Sequence, residues 1–249
     1  MPAVAATSVC KSFGHQQIIA PLDLTVKQGE FVTLIGSSGC GKTTLLRLCA
    51  GLEEPTSGTI KIFGKIPADA CAAHEIGVAF QRPALVPSRT ALQNVQLTVT
   101  VTGSERALEP VELLRHFGLN EALNQFPHQL SGGMQQRVNI ACALVHQPSL
   151  LLLDEPFGAL DELTRERLVD WLAGVLRETR RTAILVTHSV EEAVTLSDRI
   201  MVMSQRPATI AHTIHVDLPN LRDFEVRQSD SYLSLVKRTR EALHQAAAV

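Results

Sequence analysis

The chain has 249 residues, 45% hydrophobic, 19% charged and 4% aromatic, with a net charge of −2, which is enough for one large domain with a substantial core. A near-neutral balance with no basic stripe lacks a phosphate-backbone footprint, so nucleic acid is not an expected partner. No apolar run approaches the roughly 20 residues of a membrane-spanning helix, Met1–Phe13 lacks a signal-peptide pattern, and the five cysteines contain no CxxC pair, so a reducing, cytosolic setting without disulfides or zinc is expected.

In chain order, residues 4–35 read as short strands with turns, ending in the apolar strand Phe31–Ile35. Gly36-Ser37-Ser38-Gly39-Cys40-Gly41-Lys42-Thr43 follows and matches GxxxxGK[ST] between a strand and a helix. Glycines let backbone N–H groups crowd a phosphate without side-chain clash. The helix N-terminus adds partial positive charge, Lys42 reaches the β- and γ-phosphates, and the Thr43 hydroxyl suits Mg²⁺. The loop predicts nucleoside triphosphate binding, but kinases, GTPases and recombinase-like motors share it. A helix from Lys42 to about Gly51, a turn at Pro55–Gly58, and strands Ile60–Phe63 and Ile76–Phe80 come next. Thr90–Phe126 then reads as helices, and so does Ser131–His146.

Beyond these, strand and helix signals alternate: Leu150–Leu153, Leu163–Thr179, Ala183–Thr187, Val190–Leu196 and Ile200–Ser204. That alternation predicts an α/β fold with a mostly parallel sheet, interrupted by a helical insertion. Tyr232, Val236, Thr239 and Leu243 predict a docked terminal helix. Four consecutive leucines fit a strand buried on both faces. Asp154 and Glu155 follow them, at the carboxyl end where ligands of open α/β sheets gather. Asp154 is assigned to Mg²⁺ and Glu155 to polarising an attacking water. Gln81 and His188 also follow apolar strands, as a sensor of Mg²⁺ or water and as a γ-phosphate contact. Either residue alone reads first as a hydrogen-bonded loop residue; beside the other motifs the preference reverses and the catalytic assignment is made.

Leu130-Ser131-Gly132-Gly133-Met134-Gln135-Gln136-Arg137 places a hydroxyl and glycine N–H groups at a helix N-terminus, which on its own reads first as a capping turn and, beside the other motifs, as a second anion-binding pattern. It resembles the signature motif of ATP-binding cassette (ABC) proteins, and the resemblance extends over nearly the whole chain. It implies a P-loop NTPase core with an N-terminal antiparallel β subdomain and a helical subdomain. The boundaries would be 1–89 and 148–220 for the core, 90–147 for the helical part and 221–249 for a helical tail. It also implies that Phe13 stacks on adenine, that Gln81 is the Q-loop and His188 the switch histidine, and that Asp161 closes the D-loop Gly158–Asp161. Thr44 and Gln135 join the nucleotide contacts by the same resemblance. Two copies would close head to tail on two ATP molecules, each phosphate loop facing Ser131, Gly132 and Gly133 of the other. ATP would favour the closed state and its hydrolysis would release it.

The DEPFGALD stretch Asp154–Asp161, the Arg199–Pro207 segment and the short tail are most similar to the nitrate/sulfonate/taurine importer group. This resemblance implies a peripheral homodimer on the cytoplasmic face of the cell membrane, acting on a permease fed by a periplasmic or lipid-anchored substrate-binding protein. Two departures are Ser189, where relatives usually carry Asp, and Pro87-Ser88, where they tend to have Pro-Trp. A non-transport ABC ATPase and an ATP-gated clamp without turnover are the alternatives. The first usually needs paired cassettes, coiled coils or basic arms; intact Glu155 and His188 oppose the second.

Overall fold

The computed structural model describes residues 1–179, 181–219 and 222–247. The expected boundary at 220–221 and the tail's last two positions lie outside them. Among the described residues two sheets form. Strands β1 (Val4–Phe13), β2 (Gln16–Val26) and β4 (Ser57–Ile62) make an antiparallel sheet in the order β2-β1-β4. The larger sheet runs β5-β6-β7-β3-β8-β9, from β3 (Phe31–Ile35), β5 (Ile76–Ala79), β6 (Leu150–Asp154), β7 (Thr182–Thr187), β8 (Arg199–Met203) and β9 (Ile210–His215). Its neighbours are parallel, save β9, which runs antiparallel to β8.

The Leu150–Leu153 run shows why the central strands are continuously apolar. Leu151 and Leu153 enter one core cluster with Phe117 and Leu172, while Leu150 and Leu152 enter another with Leu45 and Ile62. Period-2 alternation sends neighbours to opposite faces, and both faces are covered. One face carries α3 (Ala91–Thr102), α4 (Pro110–His116), α5 (Gly132–Val145) and α6 (Glu162–Thr179). The other carries α1 (Lys42–Cys49) and the antiparallel sheet. Helices α7 (Val190–Leu196) and α9 (Asp230–Ala247) close a third cluster over β8, with Tyr232 and Val236 buried in it and Leu243 packed against it.

The structure amends several expected elements. β1 and β2 are 10 and 11 residues long rather than short, because register shifts after Ala6 and Val9 let one strand continue through irregular pattern. β4 starts at Ser57, inside the expected turn. Gly58 allows this: it has φ 82, and a Cβ there would lie 2.2 Å from the Ser8 carbonyl oxygen. Helices α2 (Pro67–Ala72) and α8 (Phe224–Arg227) and strand β9 were not foreseen. Helix α1 ends as expected, with Gly51 at φ 72 beyond the Ala50 cap. No helix of the described residues is long and apolar enough to cross a membrane.

Candidate nucleotide site

The site begins where β3 ends. All five β3 residues are buried, so the strand fixes the first loop residue rigidly. A Cβ at Gly36 would sit 3.0 Å from both Cys40 Sγ and the Met203 carbonyl oxygen, so only glycine leaves the loop backbone free there. Cys40 is buried beneath the loop, while Ser37, Ser38 and Gly39 form its exposed rim. Gly41 caps α1 without a side-chain hydrogen bond, which leaves the first helical N–H groups directed at whatever the loop encloses.

Lys42 is only 4% exposed, and its Nζ donates to the carbonyl oxygens of Gly36 (2.8 Å) and Ser37 (2.9 Å). A desolvated ammonium is thereby placed inside the curve of the loop. Rim, glycine cradle, helix terminus and buried cation together fit a polyphosphate. Thr43 Oγ1 donates to Asp154 Oδ1 at 2.9 Å across 111 residues of sequence. Burial raises the Asp154 pKa, the Thr43 hydrogen bond draws it back, and the adjacent Glu155 charge raises it further.

Sheet register assembles the remaining groups. Ala79 pairs with Leu153, Asp154 with Val186, and Ile35 with Thr187. Gln81, Glu155, His188 and Gly36 therefore emerge side by side from the carboxyl ends of β5, β6, β7 and β3. Glu155 joins two of them directly. Gln81 Nε2 donates to its Oε2 at 3.1 Å, and His188 Nδ1 lies 3.4 Å from the same oxygen. The Glu155 N–H donates to the Val186 carbonyl at 2.8 Å. Gln81 and His188 are exposed, so the cluster opens outward.

The Ser131 segment lies apart from this cluster. Ser131 caps α5 by accepting from the Met134 N–H at 3.2 Å. A Cβ on Gly132 would meet nothing within 4 Å, and one on Gly133 would meet Ala159 and Leu160, not the phosphate loop. Gln135 turns back, its Nε2 donating to the Pro127 and Leu130 carbonyls. Asp161 caps α6, accepting from the Thr164 N–H at 3.0 Å, and that bond lowers its pKa. Phe13 is 48% exposed on the β1–β2 hairpin, whose Ile18 would touch a Gly41 Cβ at 3.2 Å.

The protein-family profile described as ABC transporter matches residues 19–158 of this chain. That match spans the phosphate loop, the Ser131 segment and the Asp154–Glu155 pair. The chain belongs to the ABC transporter family. It is accordingly an ABC-type ATPase on a P-loop NTPase fold. The aliphatic sulfonates import ATP-binding protein SsuB 1 of Burkholderia cenocepacia (strain HI2424) is 43% identical over 220 residues, or 88% of this chain and 67% of that protein. The bicarbonate transport ATP-binding protein CmpC of Synechococcus elongatus is 43% identical over 244 residues, or 93% of this chain and 36% of that protein. Among solved structures, the dimeric post-hydrolysis state of the ATP-binding cassette MJ0796, bound to ADP and Pi, matches with a TM-score of 0.78 at 31% identity, covering 86% of this chain and 98% of that one.

Within the ABC cassette, one of the two sequence departures has a structural account. Ser189 caps α7, its Oγ accepting from the Glu192 N–H at 3.2 Å. Serine and aspartate cap about equally well, so the change leaves that helix start intact. Several site-supporting residues escaped the sequence reading. Thr187 Oγ1 donates to buried Glu192 at 2.5 Å and accepts from the Ser189 N–H, which fixes the backbone on both sides of His188. Gln136 and Asn139 on α5 both donate to the Phe80 carbonyl, just before Gln81. Two amides three residues apart, on a helix whose buried face is otherwise apolar, were the available signal.

Proposed function

We propose that this chain is the ATP-hydrolysing subunit of an importer and acts as a head-to-tail homodimer on a membrane permease. The carrying observation is the convergence of the phosphate loop, Asp154, Glu155, Gln81 and His188 on adjacent strand ends. The 43% identity to import and transport ATP-binding proteins supports the direction of transport. The chain would sit on the cytoplasmic face, with a periplasmic or lipid-anchored substrate-binding protein delivering a small solute such as nitrate, a sulfonate or taurine to the permease.

On this reading Gly36–Thr44 hold the ATP phosphates, with Lys42 balancing charge on the β and γ groups. Thr43, Asp154 and Gln81 would hold Mg²⁺, an ion that keeps several waters and therefore needs few protein ligands. Held there, the ion would supply neutralisation of the phosphate charge. Glu155 orients a water and takes its proton as the water oxygen bonds to the γ-phosphorus. The bond from that phosphorus to the ADP oxygen breaks, giving ADP and phosphate. His188 supports the γ-phosphate and Gln81 senses the water, while Phe13 stacks on the base. Ser131, Gly132, Gly133, Gln135 and Asp161 would complete the site of the second copy.

Purified Lys42→Ala and Glu155→Gln proteins test this by Mg²⁺-dependent phosphate release. A positioned general base contributes about 10²–10⁴-fold, and Glu155→Gln is expected to lose turnover in that range while still binding ATP. Lys42→Ala is expected to lose binding as well. Near-wild-type turnover in both would overturn the reading.

A further inference from the structure

The proposed base-stacking residue has a charged support beneath it. Lys11 and Phe13 stand two positions apart on β1 and so project from the same face of the strand. The Lys11 Nζ lies 4.7 Å from the centroid of the Phe13 ring. The ammonium is also bound by Glu53 Oε2 at 2.9 Å and by the Glu54 carbonyl oxygen at 2.8 Å. The Lys11 side chain is only 11% exposed, whereas Phe13 is 48% exposed. The ring therefore covers the cation on its inner side and keeps the outer face open.

Two physical consequences follow. A cation under an aromatic ring is held by the ring quadrupole, and it draws π density away from the opposite face. That lowers the repulsion between two π systems stacked face to face and leaves dispersion to dominate. The second consequence concerns position. Glu53 and Glu54 follow α1, the helix that begins with Lys42 and Thr43. Phe13 is thus linked through Lys11 to the end of the helix whose other end carries the phosphate loop.

Resting on the proposed role of Phe13 at the base, we infer that Lys11 is a positioning residue for the nucleotide. It fixes the stacking ring at a set separation from the phosphate loop and strengthens its outer face toward a nucleobase. Lys11 then contributes to affinity for the base half of the ligand and nothing to the phosphate half.

Calorimetric titration of the 249-residue chain with ADP and with inorganic tripolyphosphate separates the two halves. Lys11→Met, which keeps the stem length and removes the charge, should weaken ADP by about three- to tenfold, the range of a partly desolvated cation–π contact. Tripolyphosphate affinity should stay unchanged, KM for ATP should rise at constant kcat, and Lys11→Arg should restore ADP binding. Glu53→Gln should give a smaller loss of the same kind. Wild-type ADP affinity in Lys11→Met overturns the inference. Equal loss for both ligands also overturns it, because the lysine would then only brace the fold. Phe13→Ala reports on the underlying reading: unchanged ADP affinity there removes Phe13 from the base site, whatever Lys11 does.

Discussion

Glu155 has φ 46, in the left-handed region that a non-glycine residue enters at a cost. Its N–H bond to Val186 and the two contacts to its carboxylate hold it there, so the outlier coincides with the group assigned to the water. Beside it, Asp154 carries a different tension. Its folded pKa lies above the ordinary 3.8, chiefly because it is buried. As pH rises from about that value, the unfolded chain releases this proton first, and the native state binds more protons than the unfolded state. Stability therefore falls with rising pH across the window from 3.8 to the raised folded value. Glu192, buried and likewise raised from 4.5, acts in the same sense. Asp154→Asn, still able to accept from Thr43, should therefore melt above the wild type at neutral pH, with the gap narrowing as pH falls through the raised folded value and closing at about 3.8. A melting series from about pH 3 to 8 checks this, and a constant or reversed gap would remove the burial account. Asp154 and Glu155 were legible because they follow an apolar run in adjacent positions. Lys11, Thr187, Glu192, Gln136 and Asn139 were not, because their meaning lies in partners that a local pattern does not reveal. Lys11 and Glu53, for example, stand 42 residues apart.

At the scale of elements, the legible parts were those with strong internal pattern. The leucine run, the glycine-bounded helix α1 and the periodic α9 all formed as read. β9 was invisible because only Ile214 in Ile210–His215 is fully buried, so its alternation is weak at the sheet edge. α2 and α8 have only six and four residues, too few to show a period. The length of β1 and β2 was masked by bulges that shift the alternation between faces. This contrast predicts where stability resides. Leu152 is fully buried on β6, and Leu152→Ala should cost about 2–5 kcal/mol. For a chain of this size each kcal/mol lowers Tm by roughly 2–4 °C. Leu163, on α6 but 68% exposed, should change by less than about 0.5 kcal/mol when made Ala. Urea denaturation of both variants checks the ranking, and equal losses would show that β6 is not the central element its burial implies.

At the scale of the molecule, the two anion-binding helix starts do not meet within one chain. Lys42 points into its own loop, while the Ser131 segment faces outward, with Gly132 in open space and Gly133 against Ala159 and Leu160. The proposed head-to-tail pair would resolve this, each loop meeting the Ser131 segment of the other copy, and the arrangement can be tested by complementation. Lys42→Ala removes a loop and leaves its Ser131 segment intact. Gly132→Asp does the reverse: a side chain at that position meets nothing within 4 Å in the chain itself, and an acidic residue in the first turn suits the helix. It would, however, oppose the phosphates of a partner's nucleotide. Each variant alone should be inactive. In an equal mixture about half the dimers are hybrids, and each hybrid has one intact site of two, so about a quarter of wild-type turnover should return. Sites contained within one chain would give no recovery at any mixing ratio. Recovery that requires both copies would make hydrolysis a property of the pair, with the loop at Gly36–Thr43 supplying one half of each site.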